Sequence, residues 1–124
     1  GQVDKGGNPY ILHPLRVMMS VDGESEKIVA VLHDVVEDSD WTFEALLADG
    51  FSTEVIEALT SVTKESEDED YDLFIQRAMQ NPIGRKVKIA DLHDNLDVTR
   101  ISEITEKDVK RISKYKKALK SLSA

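Results

Sequence analysis

Residues 29–40 read "VAVLHDVVEDSD", and how that stretch is read decides the fold. Val29, Ala30, Val31, Leu32, Val35 and Val36 make an apolar helix that belongs in a core. His33, Asp34, Glu37 and Asp38 lie among them. A buried charge left unpaired is very costly, so these groups must be paired, neutralised or shared with a cation. His33/Glu37 and Asp34/Asp38 are each four residues apart, so each pair stacks on a helix face. One imidazole and three carboxylates therefore share one ridge. Crowded carboxylates repel, and one tends to protonate. A divalent cation removes that conflict. An imidazole and carboxylate set suits manganese or magnesium better than copper.

Two further stretches extend the cluster. In "KIADLHDNLD", residues 88–97, Asp91 and Asn95 are four apart on one face, and Lys88 lies one turn before Asp91. His13 follows "NPYIL". Two histidines and two aspartates on three helices, His13, His33, Asp34 and Asp91, can close a metal site. That leaves Glu37, Asp38 and Asn95 for chemistry. Each residue taken alone has a blander reading. A histidine beside a proline is usually exposed or satisfied, "VEDSD" can be the polar end of a helix, Asp91 can simply pair with Lys88, and His93 reads as surface.

The remaining sequence reads as helices and loops with no strand, because apolar positions recur at three and four rather than two. The expected class is an all-α, single-domain helical bundle over residues 1–124. Helices are expected from "PLRVMMSV", with Pro14 in the first turn, and from Ser25 as a cap to about Glu37. Others should follow Thr42 (stopped by Gly50) and Ser52. "KESEDED" reads as a solvated acidic loop. A helix over Tyr71–Met79 should bury Leu73, Phe74, Ile75 and Ala78 in part. Asn81-Pro82 opens the next, running to Arg100, and Thr105 with Asp108 opens the last. On that last helix Val109, Ile112, Tyr115, Leu119 and Leu122 form the apolar face.

The net charge is −8, from 24 acids and 16 bases, which argues against a nucleic-acid binder. Seven of those bases fall within residues 107–124 beside one acid, so the rest of the chain is strongly negative. Such a body repels a polyanionic substrate unless a metal or local cations intervene. No cysteine is present, which rules out a disulfide framework or thiolate metal site and suits a cytoplasmic setting. No apolar run is long enough to span a bilayer.

The order of these motifs resembles the HD-domain metal-dependent phosphohydrolases, specifically the SpoT/RelA-type (p)ppGpp 3′-pyrophosphohydrolase domains. The stretches that carry the likeness are "GQVDKGGNPYILHPLRV", "VAVLHDVVEDSDWTFEAL" and "RKVKIADLHDNLDVTR", in the family's order from Gly1 to about Arg100. The resemblance implies His13, His33, Asp34 and Asp91 as ligands, with manganese the usual ion. It implies Glu37 and Asp38 handling the nucleophilic water and the proton transfers. Asn95 and Lys5 would contact the nucleotide. Apart from the resemblance, Lys5, Lys88 and Arg100 are the candidate cations to assist in so negative a body, Lys88 as readily in a structural role. The resemblance also implies a helix upstream of Gly1. Three positions depart from the family. Asp4 stands where a basic residue is usual, Leu92 where an arginine follows the aspartate, and Asp97 where a basic residue is common. The metal set is kept while the expected substrate shell differs.

The expected reaction is hydrolysis of the 3′-diphosphate of (p)ppGpp to GDP or GTP and pyrophosphate. The partner is thus a small nucleotide, not a nucleic acid or a membrane. Two other readings stand beside it. One is an HD phosphohydrolase for a different nucleotide or phosphoester. The other is a catalytically idle helical module that binds a nucleotide or docks a partner on its lysine helix.

Overall fold

A computed structural model describes residues 12–38, 42–66, 68–96 and 105–123, of which 34–38 are described by backbone alone. Among the described residues seven helices follow in order: α1 (Leu12–Met19), α2 (Glu24–Asp38), α3 (Phe43–Ala48), α4 (Thr53–Ser61), α5 (Tyr71–Gln80), α6 (Pro82–Asn95) and α7 (Glu106–Ser123). The described residues contain no strand.

Local chemistry sets most helix ends. The Thr42 and Ser52 hydroxyls accept from Ala45 and Val55 N–H, and the Asp70 carboxylate accepts from Leu73 N–H. Asn81 accepts from Ile83 and Gly84 N–H, with Pro82 directly after it. Thr105 and Asp108 form a reciprocal box. Asp108 Oδ2 accepts from Thr105 N–H at 3.0 Å, and Thr105 Oγ1 accepts from Asp108 N–H at 3.3 Å. Past α3, Gly50 takes φ +104°, and Gly50 and Phe51 N–H return to Leu47 and Leu46 carbonyls, a Schellman stop.

Four expectations need correction. Ser25 lies inside α2, because the helix already begins at Glu24 and Lys27 N–H bonds to Gly23 O. Helix α6 ends at Asn95, with Leu96 as its C-cap, well short of Arg100. Leu73 and Val109 point to solvent at 56% and 58% exposure, while Ala118 is buried in the core. The acidic loop is not purely solvated: Arg77 forks onto Glu69 (3.0 and 2.8 Å) and also donates to Thr60 and Thr63 carbonyls. These hydrogen bonds hold the Glu69 carboxyl below its usual range.

The core explains how the site is placed. Helix α6 packs against α1, α2, α4, α5 and α7, and α2 packs against α1 and α4 as well. Val17, Val29, Ala30, Leu59, Val87, Leu92 and Leu122 meet there with no appreciable exposure. Gly84 lets α4 and α6 close tightly, since a Cβ at that position would lie 2.0 Å from Ser61 Oγ. The mutual packing of α1, α2 and α6 brings the three polar motifs together.

Candidate metal centre

His13 on α1, His33 on α2 and Asp91 on α6 are all buried, and one ligand atom from each lies within 4.8 Å of the others. Both imidazoles are anchored through Nδ1. His13 Nδ1 is 2.6 Å from Asp94 Oδ2, and His33 Nδ1 is 2.7 Å from Ala30 O. A carboxylate and a carbonyl can only accept, so each Nδ1 carries the hydrogen. Each Nε2 is then aimed at Asp91 Oδ1, at 2.8 Å from His13 and 3.5 Å from His33. Fixing one ring nitrogen by an acceptor and turning the other inward is how metal-ligating histidines are held.

Asp91 is prepared from its other side. Lys88 Nζ lies 3.0 Å from Oδ2, and Asn95 Nδ2 donates to Oδ1 at 3.4 Å. Burial opposes ionisation of Asp91. The Lys88 ammonium and the hydrogen bonds from His13 and His33 outweigh it and keep the carboxyl well below its usual range. Lys88 is itself only 13% exposed and lies over the Phe74 ring, 5.0 Å from its centroid. With Oδ2 held by Lys88, Oδ1 is the oxygen turned toward both histidines. Once an ion displaces the Nε2 hydrogen that now faces Asp91, two imidazole nitrogens and an anionic oxygen make a donor set that fits a divalent cation.

The structure thus brings together three of the four expected ligands. The side chain of Asp34 lies outside the described residues, as do those of Glu37 and Asp38, and Lys5 and Arg100 lie outside them entirely. Asn95 and Lys88 both reach Asp91. Leu92 is fully buried in the core, so it does not belong to a substrate shell. One residue along a helix turns a side chain by about 100°, which carries Leu92 from the face of Asp91 into the core. His93 is exposed, beside a cleft of about 400 Å³ shared with Glu26 and Lys86.

Two residues were missed in the sequence, Asp94 and Arg16. Arg16 Nε and Nη2 donate to Asp94 Oδ1 and Oδ2 at 2.6 and 3.1 Å, while Asp94 also holds His13. A signal was present: Arg16 is three residues after His13, and Asp94 three after Asp91, so each pair shares a helix face.

Comparison with known proteins finds relatives and one solved neighbour. The guanosine-3′,5′-bis(diphosphate) 3′-pyrophosphohydrolase of Aquifex aeolicus is 33% identical over 107 residues, covering 77% of this chain. A probable GTP pyrophosphokinase of Mycobacterium leprae is 32% identical over 112 residues, covering 80% of this chain. The chain spans only 15% and 14% of those two proteins. A solved structure described as a metazoan ortholog of SpoT that hydrolyses ppGpp superimposes with a TM-score of 0.75. Its identity is 25%, and the match covers 96% of this chain and 74% of that one. This chain is a SpoT/RelA-like HD domain. No protein-family model matches it. The all-helical architecture of this HD domain is shared with that solved neighbour. Among its described residues no helix is long and apolar enough to cross a membrane.

Proposed function

We propose that this HD domain is a divalent-metal-dependent phosphohydrolase that removes the 3′-diphosphate of (p)ppGpp, releasing GDP or GTP and pyrophosphate. The observation that carries the reading is the convergence of two anchored imidazole Nε2 atoms on Asp91 Oδ1. The relatives' names divide between hydrolase and pyrophosphokinase. The imidazoles favour hydrolysis. Phosphoryl transfer from ATP typically uses Mg²⁺ held through oxygen ligands, whereas a mixed imidazole and carboxylate set suits a cation that activates water.

His13, His33 and Asp91, with Asp34 as the fourth ligand, would hold the ion, and manganese is the proposed identity. When bound, such a cation supplies Lewis acidity to a phosphoryl oxygen and makes water a stronger acid. Glu37 and Asp38, one turn beyond His33 and Asp34, are assigned the proton transfers. One takes the proton of the attacking water and the other delivers a proton to the leaving oxygen. Such general acid-base help contributes about 10²–10⁴-fold. Asn95, Lys5 and Arg100 are assigned to the nucleotide. Lys88 is assigned to Asp91, where its charge is already engaged. The cytoplasm is the proposed setting, since such a nucleotide substrate would be met there.

The test is a substrate panel. Purified protein with Mn²⁺ is offered ppGpp and other phosphoesters, and pyrophosphate and phosphate release are followed separately. Pyrophosphate from ppGpp is the expected outcome. Phosphate from other esters with none from ppGpp would replace the substrate assignment, and turnover of nothing by metal-loaded protein would leave a binding module.

A further inference from the structure

The geometry points to Asp94 and Arg16 as a positioning pair that fixes which nitrogen of His13 faces the metal centre. The inference rests on the metal-site reading above, but not on the identity of the substrate. Asp94 Oδ2 lies 2.6 Å from His13 Nδ1 and 2.8 Å separates His13 Nε2 from Asp91 Oδ1. A neutral imidazole has one N–H and one lone pair, and which nitrogen holds which depends on the partner each meets. Asp94, held as an anion by Arg16, keeps a hydrogen on Nδ1, so that Nε2, which donates to Asp91 Oδ1 in the metal-free protein, is the nitrogen that offers its lone pair once an ion takes the place of that hydrogen.

Asp94 does not read as a ligand in its own right. Its Oδ1 accepts from Arg16 Nε, and its Oδ2 faces both Arg16 Nη2 and His13 Nδ1. Its oxygens therefore sit on the Nδ1 side of the ring, opposite the edge that faces Asp91. Among the described residues the convergent group is His13, His33 and Asp91. The unit is built from two helices: α1 carries His13 and Arg16, and α6 carries Asp91 and Asp94. The bidentate Arg16 fork also fixes the plane of the Asp94 carboxylate, which a lysine would not do. His33 Nδ1 meets a backbone carbonyl, Ala30 O, whereas His13 Nδ1 meets a side-chain carboxylate.

The experiment compares Mn²⁺ affinity by calorimetry in the parent, Asp94→Asn and Arg16→Gln, alongside the unfolding midpoint of each metal-free protein. Asp94→Asn should weaken Mn²⁺ binding about 10–100-fold, the usual cost of losing a carboxylate behind a ligating histidine. Arg16→Gln should weaken it less, because Asp94 still meets Nδ1. A second readout is the ¹⁵N spectrum of the Zn²⁺-loaded parent, which should show His13 protonated at Nδ1 and metal-bound at Nε2. That spectrum requires no variant to fold. Parent-like affinity in Asp94→Asn, affinity losses that only track lost folded protein, or metal on Nδ1 of His13 would each overturn the inference. A parent that binds Mn²⁺ and shows the expected tautomer, yet releases no pyrophosphate from ppGpp, would remove the substrate reading and leave this one standing.

Discussion

Asp91 is an anion in the interior, and Lys88 is the residue that keeps it there before any metal binds. The pair has side chains 13% and 8% exposed, so it counts as a buried ion pair. Removing one partner of such a pair leaves an uncompensated charge. Lys88→Met keeps the length and the contact with Phe74 but deletes the charge. In the metal-free protein it should cost on the order of 3 kcal/mol, the lower end of the range for a broken buried pair, because the two histidines still face Asp91. With saturating Mn²⁺ the cost should shrink, since a second cation then compensates the carboxylate. Urea melts of parent and variant in EDTA and in Mn²⁺ measure both values, and equal losses would show that Lys88 does not serve Asp91. At this scale the convergence of His13, His33 and Asp91 was legible in the sequence, because ionisable groups stood among apolar neighbours. For Asp94 and Arg16 the spacing placed each on the face of a ligand but not opposite one another, because their partnership forms only when α1 meets α6. Neither spacing nor composition fixes that crossing.

Helix starts were largely legible because they depend on capping groups within three residues. Thr42, Ser52, Asn81 and Thr105 all cap where side-chain chemistry predicts. Which side of a helix finds a neighbour was less legible. The period marks Val109 as core, yet α7 lays Ala118 and Leu122 against the bundle and leaves Val109 out. Gly84 was another blind spot, since its role exists only where α4 and α6 touch. Gly84→Ala puts a methyl 2.0 Å from Ser61 Oγ and 3.3 Å from its Cβ. The hydroxyl can rotate away only by losing its 2.6 Å bond to Ala58 O. Overpacking costs about 1–3 kcal/mol, against about 0.5–1 kcal/mol gained by replacing a helical glycine. The net expectation is a loss on the order of 1 kcal/mol. In a Ser61→Ala background the nearest atom is gone, so the same change should cost less or stabilise. A double-mutant cycle should therefore give a coupling of at least about 0.5 kcal/mol, and additive effects would show that the helices do not meet through these two residues.

The whole molecule concentrates its opposing demands in one place. It carries a net charge of −8, yet gathers further carboxylates where α1, α2 and α6 meet. At that junction Lys88 pairs with Asp91 and Arg16 with Asp94, and a bound cation would tie all three helices at once. Ligands from three helices come together only in the folded state, so metal binding and folding are linked. At a free concentration 100 times Kd, a ligand specific for the native state adds about 2.7 kcal/mol. For a domain of this size that corresponds to roughly 10 °C in Tm. Mn²⁺ should therefore raise Tm in a concentration-dependent way, and EDTA should reverse the rise. His33→Ala should lower the metal-free Tm by emptying a packed position and should also remove most of the Mn²⁺-dependent increment. The increment is the informative quantity, because a purely structural histidine would change the baseline and leave it intact. A full Mn²⁺ increment in His33→Ala would place the cation elsewhere on this acidic surface, and the convergence of His13, His33 and Asp91 would then be an ordinary buried hydrogen-bond network.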